Sequence, residues 1–112
     1  MDQPVPDVSN ADVERILERD FEDADQARFL IRKLECPESA RTALACLKGA
    51  NGNLQLLEGS VQEANRDFRD LIAAAEYPNY CQAGHRVQEM SKPELEALYA
   101  ADFEQYMAWL RS

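Results

Sequence analysis

Histidine, cysteine and glycine are all scarce in the 112 residues: one, three and four of them, respectively. A single histidine, His85, rules out the paired Glu-x-x-His motifs of a carboxylate-bridged di-metal bundle, which need a histidine on each of two helices. Three cysteines, Cys36, Cys46 and Cys81, are too few and odd in number for a disulfide framework. The glycines fall in neither a dinucleotide-binding nor a P-loop spacing, so no phosphate cradle is encoded. No apolar run approaches the roughly 20 residues that span a bilayer. The first residues, Met-Asp-Gln-Pro-Val-Pro-Asp, lack the basic-then-apolar order of a secretory signal, so the expected compartment is the cytoplasm. No repeat recurs at the period of a solenoid. Positive charge is short as well: 12 Lys and Arg stand against 21 Asp and Glu, a net charge of −9. Nucleic-acid phosphates and anionic lipid headgroups repel such a chain, so neither is an expected partner.

What is present is helical periodicity. Residues 1–8, with Pro4 and Pro6, carry no pattern and are expected to form a flexible arm ahead of one domain over 9–112. Ser9 with Asp12 reads as a helix cap, followed by Val13, Ile16 and Leu17 at helical spacing over 10–20. Asp23 with Gln26 opens a second helix with Ala27, Leu30, Ile31 and Leu34 on its apolar face. Cys36-Pro37 ends that helix, and Pro37 suits the first turn of a third, with Ala40, Ala43, Leu44 and Leu47 inward. Asn51-Gly52 offers positive φ for its exit, and Asn53 caps a fourth helix. There Leu54, Leu57, Val61, Ala64, Phe68, Leu71 and Ala75 recur at alternating spacings of three and four, which predicts a long central helix with Phe68 in the core. Residues 77–90 are aperiodic and read as a loop. Ser91-Lys92-Pro93-Glu94 then starts a last helix with Leu95, Leu98, Tyr99, Phe103, Tyr106, Met107 and Leu110 on one face. No segment alternates with period two, so the expected fold is all-α, a compact single-domain bundle of about five helices.

Little of this pattern carries chemistry. Cys81-x-x-x-His85 has the spacing of a zinc half-site, but nine residues separate Cys36 from Cys46, so no second close pair completes it. Cys81 and His85 also lack an orienting third group for nucleophilic catalysis. The run Asp20-Phe21-Glu22-Asp23-Ala24-Asp25 lacks the glycine and closing glutamate of a calcium loop. Glu63, Asp67, Asp70 and Glu76 interleave with Arg66 and Arg69 as a charged solvent face. No catalytic, cofactor or metal residue is expected. Two surfaces stand out as candidates for protein contact. One is the acidic run, with Asp20, Glu22, Asp23 and Asp25. The other is aromatic: of Tyr77, Tyr80, Tyr99, Tyr106 and Trp109, the contact candidates are Tyr80, Tyr99 and Trp109, because such rings are enriched at binding hot spots.

The segment from Leu44 through Ala45-Cys46-Leu47-Lys48-Gly49-Ala50-Asn51-Gly52-Asn53-Leu54, continuing to Asp67-Phe68-Arg69-Asp70-Leu71-Ile72-Ala73-Ala74-Ala75-Glu76-Tyr77-Pro78, resembles a family of small, uncharacterised bacterial helical proteins. It covers about a third of the chain. The resemblance implies a bacterial origin and brings no activity with it.

The acidic excess is uneven. Residues 1–35 hold ten acids and five bases, so more than half of the net charge lies there. A surface of this sign steers toward positive patches. The function expected is therefore a non-enzymatic, acidic protein-binding module of inhibitor, immunity-like or adapter type, acting on a basic protein. A homodimer through the last helix is the first alternative, and a small metal or ligand site at Cys81 and His85 the second.

Overall fold

The computed structural model describes residues 4–35 and 39–112, and the expected caps fix most of its helix starts. The described residues form six α-helices: α1 (Asn10–Asp20), α2 (Ala24–Ile31), α3 (Ser39–Ala50), α4 (Leu54–Glu76), α5 (Pro78–Ala83) and α6 (Lys92–Arg111), with a 3-10 helix (Gly84–Glu89) before the last. Among the described residues there is no strand, so the all-α class stands, with one helix more than expected. No described helix is long and apolar enough to cross a membrane. Cys36 and Pro37, the expected break and restart, lie outside the described residues.

The chain divides into two compact units, Val8–Ile72 and residues 4–7 with Ala73–Ser112, and passes from one to the other within α4. In the first unit Ser9 N donates to Asp12 Oδ2 at 3.0 Å, Asp23 Oδ1 accepts from Gln26 N at 3.0 Å, and Asn53 Oδ1 accepts from Leu56 N at 3.0 Å. Each satisfies a helix-end donor that would otherwise lack a partner. The centre of this unit is α3, not α4. Residues 42–47 are buried without interruption, and α1 packs Val13, Ile16 and Leu17 against this helix. Three of its four alanines, at 43, 45 and 50, are buried and leave room for close approach from several sides, which is why an amphipathic reading understates it.

The long α4 is in fact two helical segments. Asp67 is extended (φ −154°, ψ 96°), and its Oδ1 accepts from Arg69 N at 3.1 Å, capping the second segment as an N-cap does. The break shifts the inward face. Leu57, Val61 and Ala64 are buried before it and Ile72, Ala75 and Glu76 after it, whereas Phe68 is only half-buried. Phe68 is therefore not a core residue, and Glu76 does not belong to the solvent face on which the sequence places it. Asn65 secures the α2–α3 connection by accepting from Glu35 N at 2.9 Å and donating to Lys33 O at 3.0 Å.

The α3–α4 turn is glycine-dependent. Asn51 (φ 49°) and Gly52 (φ 83°) are both left-handed, and a Cβ on Gly52 would lie 2.7 Å from the Asp20 carbonyl oxygen. Only glycine satisfies the conformation and the approach together.

In the second unit, residues 77–90 form α5 and the 3-10 helix instead of a loop. The buried Asp102 of α6 explains the first of these. Its Oδ1 accepts from Asn79 N at 2.9 Å and its Oδ2 from Tyr80 N at 3.1 Å. These are orphan donors of α5's first turn, so the cap comes from more than twenty residues away. Gln105 Nε2 donates to Ala75 O at 3.1 Å, joining α6 to the end of α4. Ser91 Oγ accepts from Glu94 N at 3.3 Å to start α6, which buries Tyr99, Asp102, Tyr106 and Leu110.

Candidate protein-interaction site

The acidic run lies where α1 ends and α2 begins, and its members have different commitments. Asp20 forms a two-pronged pair with Arg19, Nε to Oδ1 at 2.7 Å and Nη2 to Oδ2 at 3.1 Å, with both side chains mostly covered. Asp23 uses one oxygen to cap α2. Asp25, with its side chain 96% exposed, pairs with Arg28 Nη1 at 2.7 Å. Glu22 is exposed and has no ion pair among the described residues. Phe21, in the middle of the run, is buried and anchors the turn to the core.

Arg28 gathers most of the neighbouring charge. Besides Asp25 it reaches Glu14 through Nη2 at 2.7 Å and Nε at 2.9 Å, and Glu18 through Nη2 at 3.2 Å. Hydrogen bonding to Arg28 holds the Glu14 carboxyl below its ordinary range, and the same bond raises the Arg28 guanidinium. Burial opposes the lowering at Glu14, and the charges of Arg28 and Arg32 add to it. The knot ties α1 to α2 and neutralises one charge of the three acids it gathers. The acidity available to a partner is thus less than the sequence count suggests, and within the acidic run Glu22 and the second oxygen of Asp23 are the groups with no basic partner among the described residues.

These two residues border an open cleft of about 610 Å³, lined also by Phe21, Gly52, Asn53, Leu54 and Gln55. Both the α1–α2 and α3–α4 turns contribute to it. The sequence gives the acids of this cleft but not Asn53 and Gln55, which enter it only because Gly52 lets the second turn approach Asp20.

The aromatic candidates lie in the other unit. Tyr99 is buried and its ring centroid is 5.7 Å from that of Tyr80, which is half-buried. Trp109, also half-buried, meets the buried Tyr106 edge-on at 5.5 Å. These rings mainly pack against one another. A smaller cleft of about 300 Å³ on α6 is lined by Phe103, Glu104, Met107, Ala108 and Arg111. Cys81 and His85 are both exposed but belong to different helices, separated by the left-handed Gly84 (φ 54°), so the spacing of four does not stack them on one helical face. Among the described residues no group of three His, Cys, Asp or Glu side chains is arranged to hold a metal ion. The chain matches no family model, no curated protein and no solved structure.

Proposed function

We propose that this chain is a non-enzymatic, acidic protein-binding module of the bacterial cytoplasm that engages a basic protein, as an inhibitor or adapter does. The bacterial assignment rests on the resemblance of residues 44–78. The observation that supports the binding role is the cleft at the α1–α2 turn, where Glu22 and Asp23 lie among lining residues that include no lysine or arginine. A lysine or arginine side chain suits such a cleft: its head meets the two carboxylates and its stem lies along Phe21 and Leu54. Rim charges of this kind act mainly on the rate of association, which salt screening slows.

The test is affinity capture from native cytoplasm at low and high salt, with Glu22→Lys as the comparison. The reading expects a partner of basic isoelectric point that is held at low salt, released at high salt and reduced by Glu22→Lys. Recovery of no basic protein at low salt, or of one indifferent to both salt and Glu22→Lys, overturns it. A second reading, self-association through the last helix, draws on the α6 cleft. Its contact residues would be Phe103, Met107 and Trp109, since Tyr99 and Tyr106 are turned inward.

A further inference from the structure

The outer face of α2 has a charge order that its own contacts use only in part: Asp25 shares Arg28 with Glu14 and Glu18, and Lys33 meets only the Phe29 ring. Only Ala27 and Leu30 of this helix are buried. Phe29 on the opposite face is 55% exposed, an unusual position for a large apolar ring. Lys33 Nζ lies 4.8 Å above the centre of that ring, so Lys33 shares the face with Phe29 although it follows the last helical residue. Asp25 precedes Phe29 by four residues, which places it on the same face on the other side of the ring. Gln26 and Arg32 flank Phe29 at three residues either way. Arg32 and Lys33 are exposed and have no ion pair among the described residues, in a chain where acids outnumber bases. The face is therefore acidic at its N-terminal end, aromatic at its middle and basic at its C-terminal end, symmetric in spacing about Phe29.

A surface of this order is complementary to itself when turned end for end. We propose that α2 is the contact surface for a second copy of this chain, paired antiparallel about a two-fold axis through Phe29. In that arrangement the two Phe29 rings meet at the axis. Asp25 of each copy faces Lys33 of the other, so the ion pair forms twice, as a two-fold interface requires. Antiparallel helix dipoles favour the same orientation. Asp25 is free to turn outward because Arg28 keeps Glu14 and Glu18 when it leaves. One short helix face per copy falls short of the roughly 1,200 Å² of a stable interface, so the association is weak, reversible and sensitive to salt.

Sedimentation equilibrium of the full chain under reducing conditions, which keep the exposed Cys81 from cross-linking copies, tests this directly. The expected result is a concentration-dependent dimer at low salt that dissociates at high salt. Phe29→Ala should raise its dissociation constant about tenfold or more, as loss of a central anchor does. Asp25→Lys alone and Lys33→Glu alone should each abolish it, and the double exchange in one chain should restore it, since both copies then carry the swapped pair. Asp25, Phe29 and Lys33 are all exposed, so far-UV dichroism should be the same for every variant at these three positions. A chain that is monomeric at every concentration overturns the proposal. So does a dimer that survives Phe29→Ala, or one that the double exchange fails to restore while Phe103→Ala abolishes it.

Discussion

Asp102 is the residue whose role is most specific. A carboxylate with no exposed surface is costly unless its oxygens are satisfied, and both oxygens here accept backbone N–H groups at the positive end of α5. Removing it strands those donors, and each buried donor left without an acceptor costs about 1–3 kcal/mol. Asp102→Ala should therefore lower unfolding stability by about 2–4 kcal/mol, as read from urea midpoints. Asp102→Asn, which keeps one acceptor oxygen and the shape, should cost distinctly less. Equal losses for the two variants would mean that packing, not acceptance from α5, is what Asp102 contributes. The sequence does hold a trace of this residue. Tyr99, Asp102, Tyr106 and Leu110 follow one another at helical spacing, and an acid inside such a stripe is a buried group in search of donors. What the stripe does not disclose is where the donors come from, because Asn79 and Tyr80 lie in a segment without periodicity.

At the scale of elements, the α1–α2 junction depends on pH through Glu14. Its carboxyl is held below the ordinary range chiefly by the hydrogen bond to Arg28, so the folded state binds that proton less readily than the unfolded chain does. The contribution is then fully present above the unfolded glutamate range and is lost as pH falls through the lowered folded value. Glu14→Gln removes it at every pH. The urea midpoint of the variant should thus lie below that of the unchanged chain at pH 7, and the two should converge once pH falls below the lowered folded value. A difference that does not shrink as the solution is acidified would show that Glu14 contributes by something other than its charge. Helix starts were legible because Ser9, Asp23, Asn53 and Ser91 act within three residues of themselves. The break in α4 was not, because the heptad pattern runs through Asp67 without interruption, and an aspartate that caps is spelled the same as one on a solvent face. The position of α3 was hidden for a related reason: a helix buried on several sides has no single apolar stripe to reveal it. At the candidate site, the acids could be read from the chain, whereas their division into paired and unpaired ones depended on where Arg19 and Arg28 reach.

For the whole molecule, the division into two units changes how the charge of −9 is understood. Residues 8–72 contain 13 acids and nine bases, and the remainder eight acids and three bases. The first unit, which carries the acidic run, is therefore the less unbalanced of the two, because its arginines are distributed among its acids. It also has a core of its own in Ile16, Leu17, Leu44, Leu47, Leu57 and Val61, all buried. A domain of about 60 residues buries roughly 60% of the surface of its unfolded chain and is marginal, but many of that size fold alone. We expect a fragment of residues 8–72 to fold cooperatively, with a lower urea midpoint than the full chain. Every tyrosine and the single tryptophan lie outside it, so the measurement has to be far-UV dichroism together with methyl shift dispersion. A sigmoidal urea transition with dispersed methyl signals would establish that Asn53, Gly52 and the acidic turn are assembled by this unit alone. A broad, non-cooperative loss of helix would mean that the α1–α3 core is too small to hold the cleft, and that the acidic turn needs the rest of the chain to keep its geometry.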